Sequence, residues 1–234
     1  MNKIKANNAI IEHVLKVTTP VDELVDVFAK FEMDTEDIKI IVDTLEDVNL
    51  EYPGEFKQTI YRLISKYQSL SSDDIDRYKD KLDWSCVCKY QTLNSYLMRN
   101  LKGFLDMDLV ARFQTLDPEI IKEMKEDLDF KLVCKYQILS EELMEELIDY
   151  VDYETVSMYQ ILSMGFIEKY LDRLHVPSLA VSGQLTVGLL DTYADDLEDK
   201  LNDMSFYHIK KKLVDLDTST SFVTKYADRL AKFA

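Results

Sequence analysis

The sequence predicts an all-α fold: an α-solenoid of short two-helix repeats with helical caps at both ends. Three observations carry this. A 23-residue period runs through the middle of the chain without drift, helix-capping residues recur in two fixed columns of that period, and only five glycines and four prolines occur in 234 residues. So few turn residues disfavour a hairpin-rich sheet protein.

The first 59 residues lack the period and read as an N-terminal helical cap. Apolar spacing predicts helices near 4–17, 20–31 and 36–47 and a helix start around Pro53. Thr19-Pro20-x-Asp22 supplies a cap and first turn, with proline where its missing N–H costs nothing.

Residues 60–197 hold six repeats. The reference column is Gln68, Gln91, Gln114, Gln137 and Gln160, with Gly183 at the sixth place. Two residues later stands leucine in all six copies, from Leu70 to Leu185. One residue further come Ser71, Asn94, Asp117, Ser140, Ser163 and Thr186, whose side chains accept from the unpaired amides of a helix start. A second helix therefore begins there in each copy, and Pro118 after Asp117 suits its first position. Its apolar positions lie six, seven, ten and fourteen past the reference, as in Leu143, Met144, Leu147 and Val151, the spacing of one buried face.

The next first helix starts at Asp83, Asp106, Asp129 and Asp152, with His175 and Glu198 as departures, and runs about two turns through the tyrosine and glutamine. Three before the reference the residue is always small: Ser65, Cys88, Ala111, Cys134, Ser157 and Ala180. A small column lets neighbouring helices approach closely. Neither helix of a unit can bury its apolar face alone, and stacking units side by side buries both. Residues 198–234 form the C-terminal helical cap, where "FVTKYADRL" echoes "FIEKYLDRL" at 166–174 in slipped spacing.

Several function classes are disfavoured. With 44 acidic and 28 basic residues the net charge is −16, against direct nucleic-acid binding, which needs a clustered basic surface. No apolar run approaches membrane-spanning length, so no membrane partner is expected. Three cysteines and a start lacking an apolar signal core point to a reducing, cytoplasmic compartment. His13, His175 and His208 are far apart, and neither a phosphate-binding glycine loop nor a metal-binding motif appears. Cys88 and Cys134 occupy the small column and read as buried packing residues rather than ligands. Neither a catalytic site, a metal nor a cofactor is expected.

Two columns are candidates for function. The glutamines read as a structural ladder in which each amide bonds its neighbour and satisfies helix ends that would otherwise be buried unpaired, with a peptide-gripping groove as the alternative. Lys66, Lys89, Arg112 and Lys135, two before the reference, mark the exposed edge of the first helix and form a candidate partner-binding strip; the column then changes to Met158 and Val181. The second helix carries Asp80, Glu126, Asp149, Asp172 and Asp195 at one position, interrupted by Gly103. Ordinary ion pairing on solvated faces is the competing account of both charged columns.

The stretches "KYQSLSSDDIDRYKDKLDW" (66–84), "CKYQILSEELMEELIDYVDY" (134–153) and "YQILSMGFIEKYLDRL" (159–174) resemble a Tyr-Gln-x-Leu-Ser tandem repeat of phage and giant-virus proteins. The likeness covers about six tenths of the chain, and the last copy departs from it with Ser182-Gly183 in place of Tyr-Gln. It implies a viral repeat protein and brings no assigned activity. The expected function is a non-catalytic scaffold binding a protein partner, a host factor if the protein is viral. The alternative is an acidic nucleic-acid mimic that inhibits a host DNA- or RNA-binding defence protein. Oligomeric state is left open.

Overall fold

The computed structural model describes residues 3–197, 199–213 and 221–233. Among these, nineteen α-helices stand against a single pair of two-residue strands, so the fold is all-α. The chain divides into two compact units, Met1–Asp117 and Pro118–Ala234.

In the first unit the order is β1 (Ile4–Lys5), α1 (Asn8–Val14), α2 (Val21–Lys30), β2 (Phe31–Glu32), α3 (Thr35–Glu46), α4 (Gly54–Tyr67), α5 (Ser72–Arg77), α6 (Trp84–Tyr90), α7 (Ser95–Asn100), a 3-10 turn (Lys102–Phe104) and α8 (Met107–Phe113). The helices α2, α4, α6 and α8 pack side by side in chain order. Helices of six or seven residues are unstable alone. Here they are held by capping and burial.

Both capping columns are occupied as the pattern requires. Asp83 and Asp106 accept from Cys86 N at 2.9 Å and Leu109 N at 3.1 Å. Ser71 and Asn94 accept from Asp74 N at 3.1 Å and Leu97 N at 2.9 Å. Val87, Cys88, Leu97 and Met98 are fully buried beneath them. The second helix is shorter than its apolar spacing predicts: α7 ends at Asn100, and Leu101 is buried from the turn that follows.

The small column does more than allow close approach. Ser65 Oγ accepts the backbone N–H of Asp83 at 3.0 Å, so it satisfies the cap residue of the next first helix. Ser157 does the same for His175 N at 2.9 Å in the second unit.

The expected helix over 4–17 is only partly a helix. Residues 4–5 run parallel to 31–32 with Ile4 opposite Phe31, Ala6 N reaches Glu32 O at 2.8 Å, and α1 starts after the Asn7 cap. The cause lies in the first extended segment. Residues 31–33 link α2 to α3 as Gln-x-Leu links each later helix pair, and Asp34 caps α3 in the place of Ser71. Residues 4–5 pair with the open edge of this segment.

Between α3 and α4, Glu46 accepts from Tyr61 Oη at 2.6 Å and Lys81 Nζ at 2.7 Å, with Lys57 Nζ at 3.6 Å. The Lys81 and Tyr61 hydrogen bonds lower its pKa from near 4.5 to about 2, and burial with the Glu46 bond raises that of Tyr61. A depressed carboxyl pKa stabilises the fold above the unfolded value, and that contribution is lost as pH falls from about 4.5 to about 2. Glu46 is more than a third exposed, so after solvent screening the contribution is about 1 kcal/mol. Glu46→Gln is therefore expected to destabilise by about that much at pH 7 and negligibly at pH 2. Urea titrations at both values check this, and an equal loss at each would refute it.

In the second unit the order is α9 (Pro118–Glu123), α10 (Phe130–Tyr136), α11 (Glu141–Glu146), α12 (Tyr153–Tyr159), α13 (Met164–Lys169), α14 (Val176–Ser182), α15 (Val187–Thr192), α16 (Ala194–Leu197), α17 (Asp203–Leu213), α18 (Ser221–Lys225) and α19 (Ala227–Ala231). Here α10, α12, α14 and α17 are successive neighbours, and α18 packs on α15. The pair α17 and α18 thus continues the alternation of first and second helices. Phe222, Lys225, Tyr226 and Arg229 repeat the roles of Phe166, Lys169, Tyr170 and Arg173: Phe222 packs on Tyr226 as Phe166 does on Tyr170, with ring centroids 4.7 and 4.6 Å apart. The echo in the sequence is a structural one. Of the departures in the cap column, His175 makes no side-chain bond to a helix amide, its ring meeting Ser178 Oγ at 2.8 Å, and Glu198 lies outside the described residues.

A candidate binding face on the first-helix layer

Each first helix ends at the residue before its glutamine, and the glutamine leaves the helix with extended backbone, as at Gln91 with ψ 158°. The final carbonyls of the helix then lack partners of their own. The glutamine of the following unit supplies them. Gln91 Nε2 donates to Ser65 O and Gln68 O, both at 2.8 Å, while its Oε1 accepts Leu70 N at 3.0 Å. Gln114 repeats this on Cys88 O, Gln91 O and Leu93 N, and Gln160 on Cys134 O, Gln137 O and Leu139 N. Gln68 does so on the N-terminal cap, through Phe28 O, Phe31 O and Met33 N. Gln137 is likewise buried. The amide oxygens and nitrogens of Gln68, Gln91, Gln114 and Gln160 are all engaged by backbone, so these four present nothing to a peptide.

At the sixth copy the ladder continues one residue late. Gly183 turns through the left-handed region at φ 77°, and Gln184 Oε1 accepts Leu162 N at 2.8 Å while Nε2 reaches Ser157 O at 3.1 Å. The signal in the sequence was glutamine immediately after glycine. A Cβ on Gly183 would meet no atom within 4 Å, so Gly183→Ala should cost only the backbone penalty, about 1–2 kcal/mol. Thermal unfolding of the variant measures it; no loss would show that the turn tolerates a right-handed alternative.

Lys89, Arg112 and Lys135 are exposed and Lys66 is half-buried. The residue beside each, missed in the sequence as a functional column, is aromatic, Tyr67, Tyr90, Phe113 and Tyr136, and Tyr159 continues the column beside Met158; the last four are 46–55% exposed. In the first unit Lys66 Nζ lies 4.8 Å from the Tyr67 ring centroid and 5.6 Å from that of Tyr90, and Lys89 Nζ lies 6.0 Å from that of Phe113. In the second, Lys135 Nζ lies between Tyr136 and Tyr159 at 5.3 and 5.0 Å. Each lysine therefore bridges toward the ring of the next unit, a contact worth about 0.5–1 kcal/mol at an exposed site. Hydrogen bonding to Tyr67 and to Tyr159 raises the Lys66 and Lys135 pKa values, so both stay charged at neutral pH.

Lys66, Lys89 and Lys135 make no ion pair with any described carboxylate. Lysines of the second-helix layer do: Lys79 with Asp76 at 3.1 Å, Lys122 with Glu119 at 2.6 Å, and Lys169 with Glu145 at 2.8 Å. Some cations of the first helices pair as well, Lys57 with Glu46 at 3.6 Å and Lys131 with Asp152 at 3.9 Å. One residue past the glutamine the first unit carries Ser69, Thr92 and Thr115, and the second carries Ile138 and Ile161, 98% and 95% exposed.

The acidic column, Asp80, Glu126, Asp149, Asp172 and Asp195, is exposed throughout. Asp195 pairs with Lys225, and Glu126 accepts from the Tyr150 hydroxyl. Burial raises the thiol pKa of Cys88 and pushes that of Cys134 up to about 11, against the opposing pull of the Asp106 and Asp152 amides. Neutral buried thiols are poor nucleophiles and poor ligands. Among the described residues no group of three or more His, Cys, Asp or Glu is placed to hold a metal ion, and no helix is long and apolar enough to cross a membrane. No family model, curated protein or solved structure matches the chain.

Proposed function

We propose that the protein is a non-catalytic helical-repeat scaffold that binds a protein partner through the lysine–aromatic face, the partner being a host factor if the resemblance to viral repeats reflects origin. The observation that supports this is that lysines in each unit, Lys66 and Lys89 in the first and Lys135 in the second, stack on aromatic rings and are unpaired with described carboxylates, in a chain with 16 more acidic than basic residues. With acid in such excess, carboxylate partners are available, as Lys57, Lys79, Lys122, Lys131 and Lys169 show, yet Lys66, Lys89 and Lys135 have none among the described residues. Left unpaired, they offer charge to an incoming group, and rings rich in contact area and poor in rotamers suit binding.

The test places a photo-crosslinking residue at Tyr90 in one variant and at Asp80 in another, followed by identification of adducts formed in host extract. The expected result is a discrete adduct from Tyr90 that disappears when Lys66 and Lys89 are changed to glutamate, with far-UV circular dichroism unchanged because exposed charges contribute little to folding. Adducts from Asp80 alone, on basic nucleic-acid-binding proteins and displaced by DNA, would instead establish the acidic-mimic function.

A further inference from the structure

Deepening that reading, and resting on it, we propose that the occupant of the first unit's face is an acidic polyproline-II segment of the partner, one carboxylate every third residue and one turn of the segment per repeat.

The spacing comes first. The step comes from the packing of α4 on α6, roughly 8–10 Å for packed helices, and the Lys66 amine, 4.8 Å from the Tyr67 centroid and 5.6 Å from that of Tyr90, keeps the two rings within about 10 Å of each other. The column therefore presents one ring and one cation per step of about that length. A β-strand returns to the same face every second residue, roughly 6.6 Å, and falls out of step within two repeats. A polyproline-II helix returns every third residue, roughly 9.3 Å, and stays in step across Tyr67, Tyr90 and Phe113.

The relief fits as well. Lys66, Tyr67 and Tyr90 line two surface depressions of about 490 and 280 Å³ and stand as a ridge between them. The smaller has Val25 and Leu63 in its lining with the cations Arg62 and Lys89, and the larger has Ser69 and Thr92 with Lys3 and one carboxylate, Glu32. Aromatic ridges beside shallow grooves hold proline rings, and the preformed helix loses little entropy on docking. Charge then selects the third residue of each turn. Lys66 and Lys89 have no carboxylate within the described chain, and an acidic side chain at each turn supplies one.

The experiment titrates the full chain into fluorescently labelled peptides of equal length: four repeats of Pro-Pro-Glu, of Gly-Ser-Glu and of Pro-Pro-Lys. Anisotropy is expected to show Pro-Pro-Glu binding about tenfold or more tighter than Gly-Ser-Glu, which has the same charge without the preformed helix, and no binding of Pro-Pro-Lys. Tyr90→Ala should weaken Pro-Pro-Glu binding about tenfold, whereas Tyr207→Ala, an exposed tyrosine on α17, should not change it. Equal affinity for the two acidic peptides, or tighter binding of the basic one, overturns the proposal. If no peptide binds while Tyr90 still cross-links to a partner, the polyproline occupant is wrong and the face remains the binding surface. If Tyr90 cross-links to nothing, the functional reading fails with it.

Discussion

Gln91→Met is expected to destabilise the first unit by about 3–5 kcal/mol, because three buried backbone groups lose their partner and each costs roughly 1–3 kcal/mol unpaired, less what relaxation recovers. Methionine keeps nearly the same volume, so little of the loss comes from a cavity. Ser65 O, Gln68 O and Leu70 N are the groups left behind. The adjacent exposed Thr92 is the control, since its replacement by alanine should stay within about 0.5 kcal/mol. Urea denaturation gives the energies, and hydrogen exchange at the Leu70 amide reports the broken link directly. A loss below about 1 kcal/mol would mean that water replaces the amide, and the ladder would not be what joins these units.

The second large effect is one of phase. Deleting residues 88–110 removes 23 residues and joins Val87 to Ala111, so that Gln114 arrives where Gln91 stood, facing Ser65 O, Gln68 O and Leu70 N. That shortened chain should fold, because nearest-neighbour interfaces are rebuilt from equivalent columns. Deleting 88–99 instead removes 12 residues, leaves Val87 against Asn100, and turns buried positions such as Leu101 outward. It should aggregate or remain unfolded. Circular dichroism and size-exclusion chromatography separate the outcomes, and identical behaviour of the two deletions would refute the repeat interface described above.

The helical architecture was legible because it is written several times over. One Ser71 or Asp83 is weak evidence of a cap, but the same chemistry at every twenty-third residue leaves little room for another reading. The unrepeated parts were harder. Nothing local distinguishes Ile4 and Lys5 from the start of a helix, since their strand depends on pairing with the segment at 31–32, more than twenty residues away. Gln184 was hidden by a one-residue shift that only the left-handed turn at Gly183 makes possible. The aromatic column was visible as letters and invisible as a surface. Periodicity says that Tyr90 neighbours Gln91, but the kink at the helix end decides that the amide is buried and the ring half exposed.

The glutamine ladder also has a direction, with consequences for synthesis. Ser65 O, Gln68 O and Leu70 N wait for a side chain that lies 26, 23 and 21 residues downstream, and Gln114 and Gln160 keep the same offsets. A chain leaving the ribosome therefore closes its helix ends strictly behind the growing point. Until the downstream glutamine has been made, the two carbonyls and one amide of the preceding helix end have no side chain to receive them.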